Sequence, residues 1–142
     1  MARAEPGTAT GGGGSLVSLP QNPLGYVAIV LALVTGVIHL LLAPRVVNFS
    51  QTLAILFALN GVGFLGGLLV YLTRFWRREL YLVAAVYSLL TLVAFFVWPP
   101  GGEIEFVAAF YRGSELNVMA VVAKAVEALL AVCTAYLYVS EP

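Results

Sequence analysis

The single lysine of this chain, Lys124, is followed one helical turn later by Glu127, and both lie inside an otherwise apolar run. Residues three apart share a face of an α-helix, so the ammonium and the carboxylate can pair. The same spacing adds Asn117, Ala120, Ala131, Thr134 and Tyr138 to that face, while Val118, Val122 and Leu129 take the opposite one. A small, polar face backed by an aliphatic one predicts a helix that turns its ion pair into a bundle and its aliphatic side to lipid. Charge in hydrocarbon is costly. The chemistry it serves is either a lock between helices or a site for an ion, a proton or a small polar solute.

Four further polar residues lie in apolar runs at overlapping depths: Thr35 and His39, four apart in the first run, Asn60 in the second and Thr91 in the third. At 1.5 Å per residue, counted from one end of the bundle, His39 falls about 6 Å in, Lys124 and Thr91 about 10 Å, Asn60 about 12 Å and Glu127 about 15 Å. Lys124, Glu127, Asn60, His39, Thr35 and Thr91 therefore form the expected intramembrane polar cluster, with Asn60 bonding to one member of the ion pair. A remote alternative gives His39 to haem iron for electron transfer, but a single histidine offers only one good axial ligand. The chain has one cysteine, Cys133, and no aspartate, so neither a clustered metal site nor a paired-aspartate protease centre can be assembled from it. Ser88, Cys133 and His39 are too scattered in depth to make a nucleophile and base. No catalytic residue, metal or cofactor is expected, and the chain reads as a non-enzyme.

The elements that hold these residues are four apolar runs, at about 24–43, 52–73, 80–98 and 117–139, each near the roughly 20 residues that cross a bilayer core. With 61% hydrophobic and 10% charged residues, the chain reads as an all-α, integral membrane four-helix bundle occupying 23–142. The segment 1–22 contains Gly11-Gly12-Gly13-Gly14-Ser15 and reads as a flexible leader. Pro23 suits a helix start, Pro44 a helix stop, and Asn48-Phe49-Ser50 supplies N-caps for the second run. Pro99-Pro100-Gly101-Gly102 breaks the third run. In the loop that follows, Ile104, Val107, Ala108 and Tyr111 fall at helical spacing, so a short surface helix and an irregular connection both remain open.

Small residues recur at every fourth position as Ala28, Ala32 and Gly36 in the first run and as Gly63 and Gly67 in the second, a stripe that lets helices approach closely and to which the second run adds Gly61 and Gly66. Arg74, Arg77 and Arg78 crowd the short connection between the second and third runs. By the positive-inside rule that connection is cytoplasmic, as are both termini, leaving Arg45 and Arg112 outside. The aromatic residues fit the same frame, with Tyr26, Tyr71, Trp76, Tyr81, Tyr136 and Tyr138 at the inner interface and Phe49, Trp98, Phe106 and Tyr111 at the outer one. The expected location is the cell membrane, multi-pass, with the lipid bilayer as partner and a homo-oligomer or larger membrane complex open. Zero net charge without a basic run leaves nucleic-acid binding no electrostatic basis.

Four stretches carry a resemblance: Val34-Thr35-Gly36-Val37-Ile38-His39-Leu40, Leu59-Asn60-Gly61-Val62-Gly63-Phe64-Leu65-Gly66-Gly67, Arg77-Arg78-Glu79-Leu80-Tyr81-Leu82-Val83 and Ala123-Lys124-Ala125-Val126-Glu127. In these the chain resembles small four-helix haloarchaeal membrane proteins known mainly as a domain of unknown function. The resemblance covers most of 26–138 and implies location and architecture, with no catalytic residue. It also implies glutamine where Glu127 stands, so the carboxylate there is a departure of this chain. The function expected is a structural or accessory membrane subunit, with a solute, ion or proton transporter using Lys124, Glu127 and Asn60 as the alternative.

Overall fold

The structure is a computed structural model that describes residues 14–48, 50–97, 111–112 and 114–142. Four helices account for most of it: α1 (Pro23–Val46), α2 (Gln51–Tyr71), α3 (Arg78–Val97) and α4 (Val118–Ser140). Their 20 to 24 residues span about 30–36 Å at 1.5 Å per residue. All four are long and apolar enough to cross a membrane. Their outer surface is aliphatic, with Val30, Leu33, Leu59, Leu69, Val83, Leu90, Val132 and Val139 all exposed. Packed against water, such a surface would drive aggregation; lipid suits it.

Local chemistry sets the helix starts. The Asn22 side chain accepts from Leu24 N at 3.0 Å, with Pro23 supplying the first helical φ. The Ser50 hydroxyl caps α2 through Leu53 N at 3.2 Å, and the Asn117 side chain caps α4 through Ala120 N at 3.3 Å. Asn117 thus serves the helix end rather than the polar face. Pro44, expected as a stop, lies inside α1, which runs on to Val46. A proline in the last turn forfeits a single ladder bond, so the helix tolerates it there.

Helix α1 packs on both α2 and α4, and α4 also packs on α3, whereas α2 and α3 share no comparable seam. The α1–α2 approach is closest at Gly36 and Gly61: a Cβ on Gly61 would stand 2.9 Å from the Gly36 carbonyl oxygen. Gly63 and Gly67, expected on that stripe, face elsewhere. Gly63 makes room for the Tyr87 ring of α3, and a Cβ on Gly67 would meet nothing within 4 Å. Gly36 of α1 therefore meets Gly61, two residues out of phase with the expected Gly63 and Gly67.

The end of the leader is ordered against the bundle. Val17 pairs antiparallel with Thr73, Ser18 N donates to the Leu72 carbonyl at 2.8 Å, and Arg74 N donates to the Leu16 carbonyl at 3.0 Å. The Gly-rich part of the leader, 1–13, lies outside the described residues. So do the 99–102 breaker and the Ile104, Val107 and Ala108 positions of the surface helix. Tyr111, the last position of that helix, is instead in strand β1 (Tyr111–Arg112), antiparallel to β2 (Glu115–Leu116).

The aromatic group expected at the inner interface divides in two. Tyr26 and Tyr136 are exposed, as interfacial anchors should be, while Tyr71 and Tyr81 turn inward and share a hydroxyl–hydroxyl bond of 3.2 Å. Trp76 meets both rings edge to face, at centroid distances of 4.7 and 5.2 Å. Arg78 closes this end by donating from Nε to the Tyr138 carbonyl at 2.8 Å, with its guanidinium over the Tyr138 ring.

Candidate functional site

The Glu127 carboxylate is the centre of the polar cluster and is completely buried, at 0% exposure. Its oxygens are divided between two helices. Oε2 accepts from Lys124 Nζ at 2.7 Å, within α4. Oε1 accepts from the Thr35 hydroxyl at 3.2 Å and stands 3.3 Å from His39 Nε2, both on α1. The spacing of four on α1 and three on α4 is what makes this possible, since each helix offers two adjacent side chains on the face it turns to the other. His39 reaches the level of Glu127 because α1 continues past Pro44, which sets the imidazole about 10 Å below the end of its helix.

The imidazole has a definite proton requirement. Nδ1 lies 2.8 Å from the Thr35 carbonyl oxygen, which can only accept, so Nδ1 carries a hydrogen. In a neutral ring that leaves a lone pair on Nε2, aimed at a carboxylate oxygen 3.3 Å away. The contact is attractive only with a further proton between them, on Nε2 or on Glu127. Beyond the Lys124–Glu127 pair, the cluster therefore has a place for one proton. Both ring nitrogens face oxygens, so axial haem ligation through His39 would require breaking one of these contacts.

Aromatic rings fill the rest of the shell. The His39 ring meets Phe57 edge to face at 5.5 Å and Phe64 at 6.2 Å, both from α2, and Lys124 Nζ stands 4.9 Å over the centre of the Phe95 ring of α3. Desolvated charge beside π-faces and without bulk water is held tightly. The sequence held no specific signal for these phenylalanines, because eight are distributed through the chain. Only the requirement that Lys124 and His39 have neighbours pointed to rings at their depth.

Thr35, His39, Lys124 and Glu127 are brought together; Asn60 and Thr91 are not joined to them. Gly61 occupies the face of α2 turned to α1, and one residue of helix rotates Asn60 about 100° from it. The Asn60 carbonyl accepts from the Tyr87 hydroxyl at 3.3 Å, and among the described residues its side-chain oxygen has no hydrogen-bond partner. Thr91 donates to the Ser88 carbonyl on its own helix at 2.9 Å. Among the other expected positions, Ala28, Ala32 and Gly36 are buried on α1. Arg74, Arg77 and Arg78 are exposed around the α2–α3 connection.

No curated protein and no solved structure matches this chain. A family of unknown function, DUF7475, matches residues 10–138, which takes in α1, α2, α3, all but the last two residues of α4 and every residue of the cluster, and the chain belongs to that family.

Proposed function

We propose that this chain is a non-enzymatic, multi-pass protein of the cell membrane, with both termini cytoplasmic, whose buried cluster locks α1 to α4. In this reading it works as a structural or accessory subunit, in a homo-oligomer or a larger membrane complex. The observation that carries it is the saturation of Glu127: a fully buried carboxylate whose oxygens are both occupied by side chains of the two helices it joins. Lys124 meets one oxygen, and Thr35 and His39 meet the other, which ties the carboxylate to the helices it joins. The haloarchaeal resemblance, resting on the motifs quoted above, supports the same non-catalytic reading.

One contact favours proton transport as a second reading, namely the 3.3 Å approach of His39 Nε2 to Glu127 Oε1, a distance that a shared proton would bridge. Purified protein reconstituted into liposomes decides between the two when an imposed pH gradient is followed with an internal pH dye. Under the structural reading, decay of the gradient matches that of empty liposomes. A faster decay that disappears in Glu127→Gln, with helical circular dichroism intact, would overturn it. Migration of the protein from gently solubilised membranes at the size of a single chain would remove the subunit role.

A further inference from the structure

Between α2 and α3, which share no extensive seam, lies a cavity of about 270 Å³ that reaches Ala28 and Ala32 of α1 and Leu130 and Thr134 of α4. Its walls are apolar and unusually rich in rings, with Phe64, Tyr71, Trp76, Tyr81 and Tyr87 all contributing. Gly63 and Gly67 keep the α2 wall low. Three buried side-chain polar atoms have no hydrogen-bond partner among the described residues, and two of them, Ser88 Oγ and Trp76 Nε1, belong to residues lining this cavity. Ser88 is 0% exposed. A hydroxyl without a partner in an apolar setting is expensive, and a ligand that accepts from it recovers that cost.

We infer that the α2–α3 cavity binds a planar, lipid-soluble carbonyl compound of the quinone class, its carbonyl oxygen accepting from the Ser88 hydroxyl and its ring set among the aromatic walls. Size, chemistry and depth each bear on this. An apolar cavity of about 150 Å³ accommodates one benzene ring, so 270 Å³ is suited to a fused bicycle and small for a folded phospholipid. Edge and face contacts with five aromatic side chains favour a flat π-system over a flexible chain. Ser88 lies ten residues into α3, about 15 Å along its axis and near the middle of a hydrocarbon core of about 30 Å. Phospholipid ester oxygens stay at the interface. An acceptor at the midplane belongs to a molecule dissolved within the hydrocarbon.

Trp76 lines the cavity and is one of two tryptophans, so a Trp98→Phe background makes it the sole reporter. Menadione is the probe, titrated into purified protein in detergent micelles while Trp76 fluorescence is followed. Saturable quenching is expected. Ser88→Ala should raise the half-saturating concentration roughly fivefold, as for one lost neutral hydrogen bond. Gly67→Leu, whose side chain enters open space, should abolish the saturable phase. Ala84→Leu fills the cavity from the α3 wall and carries the same expectation, should Gly67→Leu lose its helical circular dichroism. Linear quenching alike in every variant means partition into the micelle and overturns the proposal. Saturable quenching by 1-bromodecane, equal in strength to that by menadione and unchanged in Ser88→Ala, assigns the cavity to hydrocarbon chains and overturns it too.

Discussion

A carboxylate buried at 0% exposure carries its stability through its neighbours, and at Glu127 there are three of them on two helices. Glu127→Leu strands the Lys124 ammonium, the Thr35 hydroxyl and the His39 ring together, and should cost on the order of 3–5 kcal/mol. Glu127→Gln should cost less: with its N–H₂ in the place of Oε1 it can donate to His39 Nε2, and its oxygen, in the place of Oε2, still accepts from Lys124. The glutamine implied at this position by the family resemblance fits that chemistry. Lys124→Met with Glu127→Leu should fall well short of the sum of the two single losses, and the remaining deficit belongs to the Thr35 hydroxyl and His39 Nε2, both now without their partner on α4. Adding His39→Phe, beside Phe57 and Phe64, should recover part of it. Thermal unfolding of the purified variants, followed by circular dichroism in one detergent, gives these differences directly. Additive losses would mean that the ion pair and the α1 residues do not act as a unit.

Helix packing separates glycines that look equivalent in sequence. Gly36 and Gly61 stand where the backbones of α1 and α2 meet, and a Cβ on Gly61 has the Gly36 carbonyl at 2.9 Å and Leu40 Cγ at 2.7 Å. Leu40 can turn away, but the backbone cannot. Gly61→Ala should therefore destabilise by about 1–3 kcal/mol, in the range of an overpacked core. Gly66→Ala meets nothing within 4 Å and should be neutral or stabilising by up to about 1 kcal/mol through helix propensity. Equal effects of the two in thermal unfolding would rule out the Gly36–Gly61 crossing. The contrast also marks what the sequence could reveal. Long apolar runs announce helices, and three-four spacing announced the face bearing Lys124, Glu127 and Thr134, because both depend on residues within one element. Which of Gly61, Gly63, Gly66 and Gly67 meets α1 depends on the rotation of α2 about its axis, and four glycines in seven positions leave that phase undetermined. Asn60 was placed in the cluster by depth alone, and the same undetermined rotation turned it out. The extension of α1 past Pro44 was hidden for a different reason: a proline's cost depends on how much helix follows it, and only one short turn does.

At the scale of the whole molecule, the two ends of the bundle differ in construction. One end carries the exposed arginines, the Tyr71–Trp76–Tyr81 group and the pairing of Leu16–Ser18 with Leu72–Arg74; the other is where α4 begins and α1 gives way to α2. The backbone pairing ties the leader to the α2–α3 connection, so whichever side of a membrane receives Arg74, Arg77 and Arg78 also receives Gly14. The arginine excess argues for the cytoplasmic side, since short connections rich in arginine are retained there during insertion. Four spans then return the C-terminus to the same side and place the α3–α4 connection outside. Single cysteines at Gly14, Arg77 and Gly101, each in a Cys133→Ala background, test this with a membrane-impermeant maleimide applied to intact cells. Gly101→Cys should label from outside, whereas Gly14→Cys and Arg77→Cys should label only after the membrane is opened. Labelling of Gly14→Cys and Arg77→Cys in intact cells, with Gly101→Cys protected, would invert the orientation while keeping the bundle. Labelling of Gly14→Cys and Arg77→Cys from different sides would contradict the pairing of the leader with the α2–α3 connection, and with it the four-span arrangement.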